Sequence, residues 1–223
     1  MSTKKIYISL VITNYNRASY IDRAIRSCLG QFVLGRQTEV IVVDDCSSDD
    51  SLDVIREFGD DVQLHINEEN RGVAHASNVA LDQAQGEYWM RVDADDYLNS
   101  IACPTMAALL DENPDIAFVY CDHYRVDKRG FKTSKVRLDN EDALFAHGAG
   151  IMFRTSVLKE IEGYDESLRN CEDYDLLLRL RKQGHKGYYL PIPLYRYYIH
   201  GENITLQADR QTFRQIVEKK HGI

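Results

Sequence analysis

The sequence predicts an α/β protein whose mostly parallel sheet is covered by helices on both faces, and three observations support this fold class. Strand-like apolar segments alternate with helical patterns over the first part of the chain. The first two strands, residues 8–13 and 40–43, are continuous apolar runs, which are typical of strands buried on both sides. Polar clusters follow three strands, at residues 13–17, 44–47 and 93–96. Because ligands bind beyond the carboxyl ends of parallel strands, we expect these clusters to form one site.

The elements of the first part follow from apolar periodicity. Strands are predicted at residues 7–13, 39–44, 62–66, 88–92 and 116–121. Helices are predicted over residues 21–29, 52–58 and 73–85, and from Pro104 to about residue 112. Gly86 is expected to cap the third helix, because glycine commonly follows the last helical residue.

The second part of the chain has a less regular pattern, which still predicts a defined order of elements. A polar hairpin around Gly130 is predicted at residues 124–138. The other predicted elements are a helix at 141–146, a turn at 148–150, a strand at 151–154, helices at 155–162 and 171–183, a Tyr-rich strand pair at 187–200 interrupted by Pro191 and Pro193, and a polar helix at 208–221. We find no linker or repeat, so residues 1–223 are predicted to form a single domain.

The composition indicates a folded protein and argues against nucleic-acid-binding and membrane-spanning proteins. An apolar fraction of 44% over 223 residues is sufficient for a folded core. The net charge of −8 argues against broad binding to nucleic acid. No stretch of the sequence has the length and apolar character expected of a transmembrane segment. The five cysteines are scattered and never form a CxxC pair, which favours reduced thiols and a cytoplasmic protein.

Three carboxylates, Asp93, Asp95 and Asp96, stand within four residues at the end of an apolar strand. Adjacent carboxylates in an enclosed cleft repel one another unless a proton or a cation neutralises them. A divalent ion with oxygen ligands, Mn²⁺ or Mg²⁺, is the natural partner and also binds diphosphate oxygens. The alternative is a solvated acidic turn that precedes a helix. A calcium-binding EF-hand loop is disfavoured, because Tyr97 and Leu98 occupy positions that require an acidic residue and glycine.

Six segments of the chain resemble the inverting GT-A glycosyltransferases of family 2, in the expected order and over nearly the whole sequence. The GT-A fold is a Rossmann-like α/β fold with a mostly parallel central sheet. The segments are VITNYNRASYIDRAIRSCLGQ at 11–31, EVIVVDDCSSDDS at 39–51, NRGVAHASNVALDQAQGEYWMRVDADDYL at 70–98, GAGIMFRTSVLKEIEGYDESL at 148–168, CEDYDLLLRL at 171–180 and YRYYIHGENIT at 195–205.

The resemblance implies a nucleotide-sugar site in residues 1–100 and an acceptor and catalytic-base half in residues 101–223. The implied contacts to the nucleotide sugar are Thr13, Tyr15, Arg17, Asp45, Arg71, Asn78, Asp93 and Asp95. Tyr15 offers a ring for stacking on a base, and the Asp45 carboxylate can accept hydrogen bonds from a uracil-like base. For Asp45 the alternative is capping of the following helix. This chain has Ser77 where the family often has an arginine before the helix asparagine.

The resemblance also implies the metal ligands and the base. Asp95 and His200 are expected to hold the metal, with diphosphate contact as the alternative for His200, although a lone histidine in a Tyr-rich segment is often structural. Asp93 is expected to support the metal or to contact the ribose, and Asp96 to support the metal or to cap the helix that follows. Asp173 is expected to accept the proton of the attacking hydroxyl. The alternative for Glu172 and Asp173 is an electrostatic role at a helix N-terminus. His147, Gly148 and Glu172 are expected near the sugar or the acceptor, or within a simple turn.

The predicted reaction is sugar transfer from a nucleotide sugar, with UDP favoured by family frequency, to a saccharide or lipid-linked acceptor. A nucleotidyltransferase and a catalytically inactive nucleotide-sugar-binding module are the alternatives. A dinucleotide dehydrogenase is disfavoured, because no GxGxxG follows the first strand. The basic C-terminal helix leaves peripheral contact with the inner face of a membrane open, although packing on its own domain is the favoured interpretation.

Overall fold

The computed structural model describes residues 5–201, 203 and 210–223. The strands are β1 (Ile6–Asn14), β2 (Gln37–Asp44), β3 (Gln63–Ile66), β4 (Tyr88–Asp93), β5 (Tyr97–Leu98), β6 (Phe118–Val126), β7 (Lys132–Val136), β8 (Ile151–Arg154) and β9 (Gly187–Tyr198). The helices are α1 (Ala18–Leu29), α2 (Ser51–Arg56), α3 (Val73–Gln83), α4 (Ala102–Glu112), α5 (Glu141–Ala146), α6 (Thr155–Glu160), α7 (Glu172–Lys182) and α8 (Arg210–His221), with a short 3-10 helix at Gly59–Asp61.

Nine strands of the described chain form one sheet in the order β3-β2-β1-β4-β8-β6-β9-β5, with β7 paired to β6. Strands β3, β2, β1 and β4 run parallel to one another, and β6 is parallel to β9. Strand β8 is antiparallel to both β4 and β6, which it joins. The predicted mostly parallel α/β fold is therefore confirmed.

The buried side chains divide between the two faces of the sheet, as continuous apolar strands require. In β1, Leu10 and Ile12 belong to one cluster, which includes Ile25 of α1, and Val11 belongs to the opposite cluster, which includes Leu81 of α3. Burial of one such side chain stabilises the fold by about 1.5–3 kcal/mol. β1 and β4, which are covered on both faces, lie in the middle of the sheet. Their carboxyl ends border the site described below.

The predicted strand pair over residues 187–200 is wrong, because β9 is a single strand from Gly187 to Tyr198. Its pairing with β6 shifts register where Asp122 meets Pro193. On its other side β9 pairs with β5 at Tyr195 and Arg196 only. The prolines stand outside that short pairing, so their missing N–H groups interrupt no hydrogen bond to β5.

The prediction that Gly86 caps α3 is also wrong, because the helix ends at Gln83 and Ala84 occupies the C-cap position. A Cβ atom at residue 86 would overlap the backbone of Ser9 in β1. Glycine is required there for close approach of two chain segments. The hairpin predicted around Gly130 is confirmed by the antiparallel pairing of β6 with β7.

The C-terminal helix packs on the domain itself. Val217 of α8 is fully buried with Leu168, Tyr174 and Leu178, and Phe213 packs against the same cluster. The predicted start of this helix at residue 208 lies outside the described residues. No helix in residues 5–201, 203 and 210–223 is long and apolar enough to cross a membrane. All five cysteines are free, as predicted.

Candidate active site

A cleft of about 930 Å³ opens beyond the carboxyl ends of β1 and β4. Most of the residues predicted from the sequence to form the site line this cleft. They are Thr13, Tyr15, Arg17, Asp45, Asp93, Asp95, His147, Gly148, Glu172 and Asp173. The cleft is formed by residues from both the N-terminal and the C-terminal parts of the chain, which the sheet brings together.

Asp93 ends strand β4, and Asp95 lies in the turn that follows. Burial by the cleft walls raises the pKa of Asp93 to about 6, Arg91 lowers it, and the carboxylates of Asp95 and Asp173 raise it further. The Asp93 side chain nevertheless keeps 38% of its surface exposed. This end of the cleft therefore holds crowded carboxylates that a ligand can reach, and a cation would relieve their repulsion.

Asp95 Oδ2 lies 2.8 Å from Nε2 of His200 and 3.4 Å from Nε of Arg17. His200 thus reaches the residue predicted to bind the metal. In the described part of the chain, no group of three or more His, Cys, Asp or Glu side chains is arranged to hold a metal ion. Asp95 and Asp93 fit a cation that takes its remaining oxygen ligands from a diphosphate and water.

Asp96, which was expected as a supporting ligand or a cap for the following helix, does not line the cleft with Asp93 and Asp95. Its side chain is 1% exposed, it is not part of the cleft lining, and its Oδ1 accepts the backbone N–H of Tyr198 at 2.8 Å. Burial and the neighbouring carboxylates of Asp95 and Asp93 raise the pKa of Asp96 well above its usual value. This hydrogen bond connects the end of β9 to the turn that follows β4.

Arg91 links the two acidic ends of the cleft. Its guanidinium lies 3.5 Å from Asp93, 3.1 Å from Glu172 and 2.7 Å from Asp173, and its side chain is only 8% exposed. Arg91 also donates a hydrogen bond to Ser77 Oγ at 3.3 Å. Its guanidinium therefore lies beside residue 77, the position where the family often has an arginine. Arg91 was not predicted from the sequence as a site residue, although an arginine inside the apolar strand YWMRVD is an unusual feature that could have indicated it.

Asp173 stands in the first turn of α7 with its carboxyl group in the cleft. Burial raises its pKa to about 7, Arg91 lowers it, and Glu172 raises it. A Cβ atom at residue 148 would overlap the Asp173 carboxyl group. Gly148 therefore permits the approach that places this carboxylate beside the acidic end of β4. A carboxylate with a pKa near neutrality is suited to proton transfer.

The lining of the cleft also includes an exposed aromatic ring, Tyr15, and a buried carboxylate, Asp45. Tyr15 is 46% exposed, which leaves a face for stacking. Asn16 adopts a φ of 51°, and its Oδ1 accepts the backbone N–H of Ser48. Asp45 accepts backbone N–H groups from Arg71 at 3.1 Å and Gly72 at 2.6 Å. Asp45 therefore holds the loop at 70–72 and is not a helix cap.

Arg71 and Asn78 are not brought to the cleft, contrary to the expectation that both contact the nucleotide sugar. The Arg71 guanidinium pairs with Glu166 at 3.0 Å. The Asn78 amide exchanges two hydrogen bonds with the backbone of Tyr164, at 2.8 and 2.9 Å. Tertiary contacts with the segment after α6 therefore occupy both side chains.

Three further arginines line the cleft and were not assigned to the site from the sequence, namely Arg169, Arg210 and Arg214. Arg169 contacts Asn70, from the loop that Asp45 holds, at 3.1 Å. Arg210 and Arg214 come from α8 and reach the cleft because this helix packs beside α7. No local pattern in the sequence distinguishes them from surface arginines.

This fold and cleft define a GT-A glycosyltransferase domain. A solved structure of residues 1–349 of Staphylococcus aureus TarS, in complex with UDP-GlcNAc, superposes with a TM-score of 0.78 at 25% identity. The match covers 96% of this chain and 66% of that one.

The model of the family "Glycosyl transferase family 2" matches residues 9–162, and the chain therefore belongs to this family. The chain is 31% identical over 211 residues to a chondroitin synthase of Pasteurella multocida, which covers 90% of this chain and 21% of the relative. It is 30% identical over 177 residues to the poly(ribitol-phosphate) β-N-acetylglucosaminyltransferase TarS of S. aureus, which covers 74% of this chain and 30% of the relative. The chain thus spans under a third of either relative. The predicted enzyme class is confirmed at the level of the family.

Proposed function

We propose that this chain transfers a sugar from a UDP-sugar to a hydroxyl group of a saccharide or lipid-linked acceptor, with inversion and with a divalent cation. The observation that carries the proposal is the connection through Arg91, which lies 3.5 Å from Asp93 and 2.7 Å from Asp173. A site for a departing diphosphate and a base for an incoming hydroxyl therefore adjoin in one cleft.

The chemistry requires a single base. The acceptor oxygen attacks the anomeric carbon, and the bond from that carbon to the diphosphate oxygen breaks with its electron pair. The hydroxyl proton passes to Asp173, whose pKa of about 7 leaves much of it deprotonated near neutral pH. A second carboxylate, such as the acid of a glycosidase, is unnecessary because the diphosphate leaves without being protonated.

Mn²⁺ or Mg²⁺ would be held by Asp95, with Asp93 and His200 beside it, and would neutralise negative charge on the departing diphosphate. Tyr15 and Thr13 are proposed to contact the base and Arg17 the phosphates, which assigns residues 1–100 to the donor. Residues 101–223 then supply the acceptor contacts and the base. The complex of TarS with UDP-GlcNAc supports a UDP-sugar donor. The chondroitin synthase relative supports a role in polysaccharide synthesis.

The proposal is tested by incubating the chain with Mn²⁺, a panel of nucleotide sugars and a mixture of saccharide acceptors, and measuring the released nucleotide diphosphate. Release from a UDP-sugar is expected, and Asp173→Asn should reduce it by roughly 10²-fold or more while donor binding is retained. Asp82→Asn, an exposed carboxylate on α3, is the matched control and should leave the rate unchanged.

The same assay separates the alternatives. Release of pyrophosphate would indicate a nucleotidyltransferase. Metal-dependent binding of a nucleotide sugar without any turnover would indicate an inactive binding module. The metal assignment has its own test, because Asp95→Ala should abolish the chelator-sensitive part of UDP binding, and unchanged affinity would reject Asp95 as a ligand.

A further inference from the structure

A second cavity of about 560 Å³ adjoins the active-site cleft. Three residues, His147, Tyr197 and Arg210, line both spaces. His147 precedes Gly148, which packs against the carboxyl group of Asp173. The cavity therefore begins beside the proposed base, where the acceptor hydroxyl must lie, and Tyr15 is not among its described lining residues.

One cationic side chain of the sheet, Arg125, lines this cavity. Arg125 of β6 is directly opposite Tyr197 of β9 and Ser134 of β7 in the strand register, and all three line the cavity. Neighbouring strands place such partners about 5 Å apart on the same face. The row Ser134–Arg125–Tyr197 thus presents a hydroxyl group, a guanidinium and an aromatic ring side by side.

The charge of Arg125 is not neutralised by any carboxylate within ion-pair distance in the described part of the chain, and its buried Nε has no hydrogen-bond partner there. Asp127 is the acidic residue among the described lining residues. Its Oδ1 already accepts the backbone N–H groups of Arg129 and Phe131, each at 2.9 Å. The guanidinium of Arg125 is therefore available to a ligand.

The histidines beside the cavity do not add charge. Burial, followed by the positive charges of Arg125 and Arg210, lowers the pKa of His147 to about 4. Burial and His147 lower the pKa of His123 to about 3, and neither ring nitrogen of His123 has a hydrogen-bond partner in the described residues. Both rings are neutral at pH 7, so neither histidine adds positive charge to that of Arg125.

We infer that this second cavity is an acceptor subsite for a negatively charged saccharide unit, with Arg125 binding its carboxylate or phosphate and Tyr197 packing on its ring. The inference rests on the proposed function and names the substrate class of that same site. A guanidinium suits both anions, because its planar N–H groups match their paired oxygens. The shared chemistry is an anionic group one or two units from the hydroxyl that receives the sugar.

The test measures binding of three acceptor probes by calorimetry in the presence of UDP and Mn²⁺. The probes are a glucuronate-containing tetrasaccharide, the same tetrasaccharide with its carboxyl groups reduced, and a polyol-phosphate tetramer. We expect one anionic probe to bind about 10-fold or more tightly than the reduced tetrasaccharide, because a charge-assisted hydrogen bond is lost on reduction. The preferred anion distinguishes a uronate from a phosphate acceptor.

Arg125→Gln should abolish this preference, and Arg125→Lys should retain part of it because the charge remains. Arg129→Gln is the matched control, since Arg129 is an exposed arginine in the turn of the same hairpin and does not line the cavity. Equal affinity for the charged and reduced tetrasaccharides, without binding of the polyol phosphate, would overturn the inference. An equal loss of this preference in Arg129→Gln and Arg125→Gln would also overturn the inference. It would show that any positive charge on this hairpin attracts the anionic probes. Melting temperatures of the variants verify that each is folded.

The inference and the proposed function fail separately. UDP release with no preference for charge would overturn the subsite and leave sugar transfer intact. Preference for an anion that depends on Arg125, without release of a nucleotide diphosphate from any donor, would overturn sugar transfer and leave an anion-binding cavity.

Discussion

Gly148 and Asp173 illustrate how closely the cleft is built around its proposed base. The segment at 148–150 approaches α7 so tightly that the Asp173 carboxyl group occupies the space where residue 148 would have a side chain. The carboxylate is further held by Arg91 at 2.7 Å. A base fixed on two sides has little freedom to leave the geometry that the reaction needs.

Gly148→Ala should therefore displace Asp173 and lower kcat by about 10²-fold, since a shift of the order of 1 Å in a catalytic group has that effect. Binding of UDP should change little, because the atoms nearest to a Cβ at residue 148 all belong to Asp173 and not to the residues proposed to bind the nucleotide. Steady-state kinetics and calorimetry measure the two effects. Gly201→Ala is the control, because this glycine also lines the cleft and a Cβ atom there meets no atom of the described residues within 4 Å. Equal kinetics in the two variants would contradict the packing argument.

The pH dependence of kcat follows from the pKa of about 7 at Asp173. The base acts when deprotonated, so the rate should rise as the pH increases through about 7 and level off above it. Glu172→Gln removes a negative charge that raises this pKa, so the acid limb of the profile should move to lower pH. Glu160→Gln, an exposed residue on α6, should leave the profile unchanged. A limb that stays in place in Glu172→Gln would exclude Asp173 as the titrating group.

Among the elements, α8 is attached to α7 by a buried carboxylate. Asp175 is fully buried and accepts hydrogen bonds from Arg179 at 2.7 Å, Lys220 at 2.7 Å and His221 at 2.9 Å. Two of these partners belong to the last turn of α8. The attachment keeps Arg210 and Arg214, at the other end of α8, against the cleft.

Asp175→Asn should lower the free energy of unfolding by about 2 kcal/mol, the contribution of hydrogen bonds to a charged group. Burial alone would raise the pKa of Asp175, but the bonds from Lys220, His221 and Arg179 outweigh it and lower the pKa. A lowered folded pKa gives stability that is complete above the unfolded value of about 3.9 and is lost as the pH falls through the folded value. The difference between the variant and the unsubstituted chain should thus shrink below about pH 4.

Urea denaturation at pH 7 and at pH 3.5 measures this difference. Asp82→Asn, which alters an exposed carboxylate, should stay within about 0.5 kcal/mol of the unsubstituted chain at both values. A difference that persists undiminished in acid would show that Asp175 acts by packing and not by charge.

At the scale of the whole molecule, the cleft joins segments that are far apart in the chain, with β1 and β4 on one side and α5, α7 and α8 on the other. Asp95 is paired with His200 and Arg17. A cation alone must compete with these partners, whereas a cation bound together with a diphosphate brings oxygen ligands and balances their charge.

UDP and Mn²⁺ together should therefore stabilise the fold more than the sum of their separate effects. At about 100 times the dissociation constant, a ligand adds about 2.7 kcal/mol, which corresponds to a rise in Tm of about 5–10 °C for a chain of this size. Differential scanning fluorimetry measures the rise in Tm with UDP, with Mn²⁺, with both ligands, and with both ligands and a chelator. Strictly additive shifts would contradict joint binding at Asp95.

The sequence alone determined the features that are local along the chain. Apolar alternation located the central strands and most helices, because buried strands and amphipathic helices each impose their own period. The acidic cluster at Asp93–Asp96 was recognised from its position after an apolar strand, whereas Asp173 was assigned through the resemblance to the family. The rule that ligands bind beyond the carboxyl ends of parallel strands predicted that the polar clusters after three strands form one site.

Only the tertiary structure decided which distant groups meet. The pairing of Arg91 with Asp173 joins residues 82 positions apart, and no local pattern encodes such a distance. Pairing with its neighbouring strands likewise makes β9 a single strand that includes both prolines. Arg71 and Asn78 do not line the cleft, because their side chains bind the segment after α6. Periodicity and motif spacing depend on neighbours in sequence, whereas pKa values, ion pairs and cavities depend on neighbours in space.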